Sequence, residues 1–289
     1  MKKATILIPT HNHGSTLEYA VMSALRQTVE DIEIFVVGDG ANEITESIMY
    51  DLGKLDVRVK YFPFDKAPRH GEVLRHKVLM EKARSEIVCY LSDDDLYLPN
   101  HVELVYEALK KNDFVNTFAF NILPDKTIYH FPIYLESPWY KNYILTEGNR
   151  IPLSNGGHTL EFYKKLPHGW RTTPQGIWTD WYMWQQILSA DGVRAMSIQE
   201  PTVLHFSSAD RNGFSSKERG CELKEWYELT RRPEELGKFT EYVKNDRMTW
   251  YKKELQRLDA EINTLQETSS RLADTNNQRF SEQKNPPIC

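Results

Sequence analysis

The stretch Ile87-Val88-Cys89-Tyr90-Leu91-Ser92-Asp93-Asp94-Asp95-Leu96-Tyr97-Leu98-Pro99 decides how this chain is read. Five apolar residues with a β-branched pair form a buried strand. Directly after it, Asp93, Asp94 and Asp95 crowd three carboxylates together. Like charges that close raise one another's pKa unless something positive sits between them. A hard divalent cation with oxygen ligands, Mn²⁺ or Mg²⁺, is the natural compensation. Helix capping is the competing explanation, because Asp95 or Asn100 can cap the helix that Pro99 opens. Capping explains one acid, not three at the end of a core strand. The cluster is therefore read as a cation site.

Upstream, similar β-rich runs occur at Thr5 to Ile8, Glu33 to Val37 and Val57 to Phe62. Between the runs lie segments with helical spacing, such as Leu17, Val21, Ala24 and Leu25, and later Val73, Lys77 and Met80. Strand–helix alternation with apolar strands predicts an α/β fold, a mostly parallel sheet flanked by helices. Ligands in such sheets sit beyond the carboxyl ends of the strands. The first strand ends in Pro9-Thr10-His11-Asn12 and the second in Val37-Gly38-Asp39-Gly40. Asp39 can accept a hydrogen bond from a base N–H, and Pro9, Thr10 and Asn12 can meet a nucleoside. In isolation Gly-Asp-Gly is an ordinary turn. No glycine-rich phosphate fingerprint follows the first strand, which excludes a P-loop and a dinucleotide-binding pattern. A diphosphate bound here would rely on the cation, helped by Arg75.

Downstream, residues 114–174 are less regular and rich in Tyr, Trp and Pro, and read as strands and loops on the acceptor side. A helix is predicted from near Thr179 to Ala190 and a strand from Thr202 to Phe206. In Trp178-Thr179-Asp180-Trp181-Tyr182-Met183-Trp184 an acid stands among tryptophans. Flat rings such as Trp178 and Trp181 cover the apolar faces of sugars while a carboxylate takes a hydroxyl proton. Spacing alone allows equally that Asp180 stabilises a helix start.

Beyond Arg231-Arg232-Pro233 the composition turns polar and helical. Met248, Tyr251, Leu255, Leu258, Ile262, Leu265 and Leu272 fall at alternating spacings of three and four, a coiled-coil-like seam able to support a homodimer. The expected organisation is a nucleotide-sugar-binding half at 1–112, an acceptor-side half of the same catalytic domain at 113–230, and a helical tail at 231–280. Disorder is expected over 281–289.

Taken in order and spacing, Thr5 to Asn12, Glu33 to Gly40, the Asp93-Asp94-Asp95 cluster with Pro99, and Thr179-Asp180-Trp181 resemble family 2 glycosyltransferases of the GT-A fold. The resemblance covers about the first 210 residues. It implies that Thr10 and Asp39 contact the nucleoside, usually uridine, that Asp93 lies near ribose or metal, and that Asp94 is the metal-binding acid. It also implies that Asp180 is the general base of an inverting enzyme. By the same analogy His205 becomes a late metal ligand, although a lone histidine after a strand is more often structural. Three positions depart from the family pattern. Ser92 stands where many relatives carry the first acid of Asp-x-Asp, which by the resemblance shifts the metal toward Asp94 and Asp95. Gly38 replaces an acid, and Thr179 replaces the Glu of a Glu-Asp pair.

Composition narrows the field further. With 40% hydrophobic and 27% charged residues, 289 residues can bury a sizeable core. A net charge of -5 leaves no basic footprint for nucleic acid. Cys89, Cys221 and Cys289 are too scattered for a metal or disulfide framework and suit a reducing compartment. No stretch approaches the ~20 apolar residues of a membrane helix. The expectation is a cytoplasmic or membrane-peripheral, metal-dependent enzyme moving a sugar from a nucleotide diphosphate to a hydroxyl on a glycan or other acceptor. Its rivals are a nucleotidyltransferase on a related sheet and a catalytically inactive nucleotide- or carbohydrate-binding module.

Overall fold

The structure, a computed structural model, describes residues 2–131, 133–246, 260, 264–266 and 268–269. Two compact units divide the chain, Met1–Pro233 and Glu234–Cys289. In the second, residues 234–246 are helical. Of the heptad positions only Leu265 is among the described residues. The rest of the seam, and the stretch 281–289, lie outside them.

The first unit opens with four strands, β1 (Lys2–Thr10), β2 (Ile32–Asp39), β3 (Val59–Phe64) and β4 (Ser85–Tyr90). Helices α1 (Gly14–Leu25), α2 (Glu43–Leu55) and α3 (Glu72–Lys82) join them in turn. The strands pair in parallel in the order β3-β2-β1-β4, as the alternation predicts. Every residue of β2 is buried, which is the mark of a strand covered on both faces. Its buried Glu33 is satisfied by Thr5 Oγ1 at 2.7 Å and the Arg84 N–H at 3.0 Å. Side chains alternate between two cores with the period of two that a pleat imposes. Ile6, Ile8, Ile34, Val36 and Cys89 enter one, with Leu17 and Val21 of α1. Leu7, Phe35, Val37, Val88 and Tyr90 enter the other, with Val78 and Leu79 of α3.

The second half of the sheet is mixed. After β5 (Leu96–Tyr97) and α4 (His101–Leu109) come β6 (Phe114–Ile122), β7 (Ile128–Tyr129), β8 (Gly156–Thr159) and β9 (Ala195–His205). Short β8 runs antiparallel between β4 and β6, while β9 pairs in parallel with β6. The region 114–174, expected as strands and loops, also contains helices α5 (Pro138–Thr146) and α6 (Leu160–Lys165). Their aromatic and short runs give little helical periodicity, and tertiary packing decides them. Helix α7 (Thr179–Leu188) agrees with expectation, and β9 begins seven residues before the predicted strand. Trp184 of α7 is fully buried and lies so close to β8 that a Cβ on Gly156 would sit 2.5 Å from its ring. Helix α8 (Ser216–Thr230) was not foreseen. Ser215 and Glu218 close a capping box at its start, and it packs on α1.

Candidate active site

The ends of β1, β2 and β4 meet at one edge of the sheet, and their loops enclose a cavity of about 260 Å³. Of the residues singled out from sequence, Pro9, Thr10, Asp39, Arg75, Asp93 and Asp94 all line it. Asn12 does not. Its side chain instead accepts the Asn42 N–H at 3.2 Å and lies 3.0 Å from His11 Nε2, which braces the loop. Asp39 is buried and already accepts from Lys66 Nζ at 2.6 Å and the Ala67 N–H at 2.7 Å. Gly71, at the start of α3 with φ of 68°, passes directly beneath it, and a Cβ there would lie 2.7 Å from Asp39 Cγ. Only glycine fits that combination of angle and contact.

The three adjacent carboxylates part company. Thr10 Oγ1 donates to Asp93 at 2.6 Å, and His13 Nδ1 lies 3.0 Å from the other Asp93 oxygen, which raises the His13 pKa. Asp94 receives the Ser208 hydroxyl at 2.7 Å and pairs with Arg219 of α8. Burial, and after it the charges of Asp95 and Asp93, push the Asp94 pKa up to about 6. Asp95 is wholly buried and accepts from Ser154 Oγ at 2.5 Å and the Phe206 N–H at 2.9 Å, with His205 Nδ1 at 3.0 Å. Burial opposes its charge, yet His205 and these donors hold its pKa below the ordinary value.

Asp95 and His205, expected as cation ligands, are thus bonded to each other and tie the end of β4 to the end of β9. Among the described residues, the ligand atoms that converge belong to His13, Asp93 and Asp94, all within 4.8 Å of one another. One imidazole nitrogen and two carboxylates form a hard donor set that fits a divalent cation. Burial, and then the crowding of like charges, lifts the Asp94 pKa, and such an ion would relieve the crowding.

A second cavity of about 610 Å³ adjoins the first and shares Arg69, His70, Arg75, Leu153 and Ser208 with it. Arg75 stands in this common wall, only 6% exposed. Its Nη2 donates to the His70 carbonyl at 2.9 Å, its guanidinium lies 5.0 Å from the Trp170 ring centre, and its Nε has no hydrogen-bond partner among the described residues. Arg69 takes a φ of 59°, an unusual angle for a side chain with a Cβ.

Asp180, in the first turn of α7, lines the second cavity beside His205 and Trp178. Its carboxylate accepts the Trp181 N–H at 2.8 Å, and burial raises its pKa to about 6. Trp178 is 65% exposed at the cavity lip. Trp181 does not line this cavity, and its Nε1 donates to the Ile144 carbonyl at 2.6 Å, tying α7 to α5. Where the family pattern has Glu, the hydroxyl of Thr179 lies 3.3 Å from Oε1 of Glu72 on α3, so a carboxylate reaches this spot from another element. Sequence reasoning missed His13, which shares a loop with Thr10 and was within reach of the argument. It also missed Lys66, Ser208 and Arg219, which no local pattern marks.

The family model for glycosyl transferase family 2 matches residues 5–165. Over 109 residues the chain is 35% identical to an uncharacterized glycosyltransferase, RT0329, of Rickettsia typhi, covering 38% of this chain and 32% of that one. It is 34% identical over 95 residues to the GalNAc(5)-diNAcBac-PP-undecaprenol beta-1,3-glucosyltransferase of Campylobacter jejuni, covering 33% and 30% of the two chains. These matches span less than a third of the relatives' own lengths. The fold is similar to that of S. aureus TarS 1-349 in complex with UDP-GlcNAc, with a TM-score of 0.54 at 14% identity over 79% of this chain and 66% of that one. It is also similar to the mannosyltransferase PcManGT from Pyrobaculum calidifontis in complex with GDP-Man and Mn²⁺, with a TM-score of 0.50 at 15% identity over 70% and 56%.

Proposed function

The chain belongs to glycosyl transferase family 2, and from that membership we propose that it is a metal-dependent, inverting glycosyltransferase using a UDP-sugar. The observation that carries the reading is the pair of adjoining cavities, one lined by Asp93 and Asp94 and the other by Asp180, with Arg75 between them. The UDP-GlcNAc bound by TarS and the GDP-Man and Mn²⁺ bound by PcManGT support a nucleotide-sugar donor and a cation here.

In this reading the nucleotide occupies the smaller cavity, contacted by Pro9, Thr10 and Asp39, and the acceptor enters the larger one beside Trp178. Asp180 takes the proton from the acceptor hydroxyl. The resulting oxygen attacks the anomeric carbon as its bond to the diphosphate breaks, and the configuration inverts. Arg75, buried in the shared wall with an unpaired Nε, offers a fixed charge to the diphosphate. A divalent cation held by Asp94, Asp93 and His13 would neutralise the charge that builds on the leaving group. No helix among the described residues is long and apolar enough to cross a membrane. Cys89 is buried and Cys221 is exposed, both as free thiols, which favours a reducing cytoplasm or a membrane periphery.

The test is incubation with UDP-sugars and Mn²⁺ without acceptor, following release of UDP. Slow hydrolysis that stops when EDTA is added supports the reading. Binding of UDP-sugars with no release identifies a binding module, and an absence of both sinks the assignment.

A further inference from the structure

Arg219 is the feature that the proposed reaction leaves unexplained. It lies on α8, 125 residues from Asp94 in the chain, yet its guanidinium pairs with the acid central to the cation site. Both side chains are largely buried, Arg219 at 13% exposure and Asp94 at 11%. Ser208 bridges them, donating to Asp94 at 2.7 Å and accepting from Arg219 at 3.0 Å. Arg219 therefore stands where positive charge is needed while Asp93 and Asp94 crowd each other.

We propose that Arg219 is a tethered cation that holds Asp94 in the free protein, and that it moves from Asp94 to the donor diphosphate when nucleotide and metal bind. The inference rests on the reading of Asp94 as a cation ligand. Its logic is charge balance. The carboxyl oxygen that accepts Arg219 is not free for a metal, and a guanidinium beside a divalent ion is repelled. A diphosphate brings enough negative charge for Arg219 to find a new partner nearby, so both cations can coexist. Guanidinium and phosphate suit each other geometrically.

The local structure permits such a move. The backbone of Arg219 is fixed in the first turn of α8 by the Ser215–Glu218 capping box, so only the side chain has to turn. A separate cavity of about 190 Å³, bounded by His13, Ser15, Thr16, Phe214, Ser216 and Arg219 itself, leaves it room. The role of Arg219 is to make metal and nucleotide bind as a coupled pair.

Calorimetry on the full chain separates the possibilities, using Mn²⁺ alone, UDP alone and UDP with Mn²⁺. For wild type, UDP should strengthen Mn²⁺ binding. Arg219→Gln should bind Mn²⁺ alone about tenfold more tightly and bind UDP in the presence of Mn²⁺ about tenfold more weakly, shrinking the coupling. Arg219→Lys, which keeps the charge, should return Mn²⁺ binding toward wild type. Ser208→Ala loosens the bridge without removing a charge and should shift Mn²⁺ affinity in the same direction as Arg219→Gln. It decides the matter if circular dichroism shows that Arg219→Gln does not fold. If neither variant strengthens binding of Mn²⁺ alone while wild type binds UDP in a Mn²⁺-dependent way, Arg219 is a structural clamp and the proposal is wrong. If wild type binds UDP equally with and without Mn²⁺, the cation reading itself fails first.

Discussion

Asp180 and Asp94 share a raised pKa but stand in different surroundings, and each leads to its own test. Burial alone lifts Asp180, and an ionised base is needed for transfer. Turnover at saturating donor should fall about tenfold per pH unit below about 6 and level off above it. Asp180→Asn should keep donor affinity and lose transfer by at least about a hundredfold. Its melting temperature should not drop, since the amide oxygen can still accept the Trp181 N–H and no charge has to be buried. Wild-type turnover in that variant would show that Asp180 only starts a helix. For Asp94 burial comes first, and the charges of Asp95 and Asp93 add to it. Asp94→Asn should abolish Mn²⁺-dependent binding of UDP while the fold survives, because loss of one like charge relieves Asp93 and Asp95. Unchanged metal-dependent affinity by calorimetry would remove Asp94 from the site.

At the level of elements, the site depends on how closely loops and helices approach the strand ends. The start of α3 carries Gly71, Glu72 and Arg75, and so sets Asp39 from below, meets Thr179 and supplies the common wall of the two cavities. Gly71→Ala combines a strained φ with a clash on Asp39. It should cost about 1–3 kcal/mol in urea unfolding and weaken UDP binding as well. A loss of stability with UDP affinity intact would mean that Asp39 does not contact the nucleotide. Gly156→Ala on β8 offers a contrast, because its Cβ would strike Trp184 in the core. It should destabilise by about 1–3 kcal/mol without changing UDP affinity per folded molecule.

For the whole molecule, both cavities are lined by residues of the first compact unit, Met1–Pro233. A chain ending at Pro233 should therefore keep its UDP-induced rise in melting temperature. The heptad spacing from Met248 to Leu272 leads us to propose that the tail makes a dimer, since an isolated helix of that length is marginal in water and its apolar stripe needs a partner. Light scattering on both chains checks this. A full-length monomer at micromolar concentration would overturn the coiled-coil reading.

The parallel half of the sheet was legible because its signals are local. Apolar runs at Thr5 to Ile8, Glu33 to Val37 and Ile87 to Leu91 alternate with helical spacing, and a strand's period shows within a few residues. The strand ends then gave Thr10, Asp39, Asp93 and Asp94, all of which line one cavity. Helices α5, α6 and α8 were not legible, since their stability comes from packing against other elements. The partners within the acidic cluster could not be read either. Asp93, Asp94 and Asp95 look alike in sequence, but side chains on a turning backbone point apart, and each meets a different neighbour. Thr10 and His13 are about 80 residues from Asp93, Arg219 is 125 from Asp94, and His205 is 110 from Asp95. The sequence by itself determined that carboxylates gather at a strand end, because composition and period are local properties. Only the tertiary structure decided which of them converges with His13, which pairs with Arg219 and which is locked against His205, because direction and distant neighbours arise when the chain closes on itself.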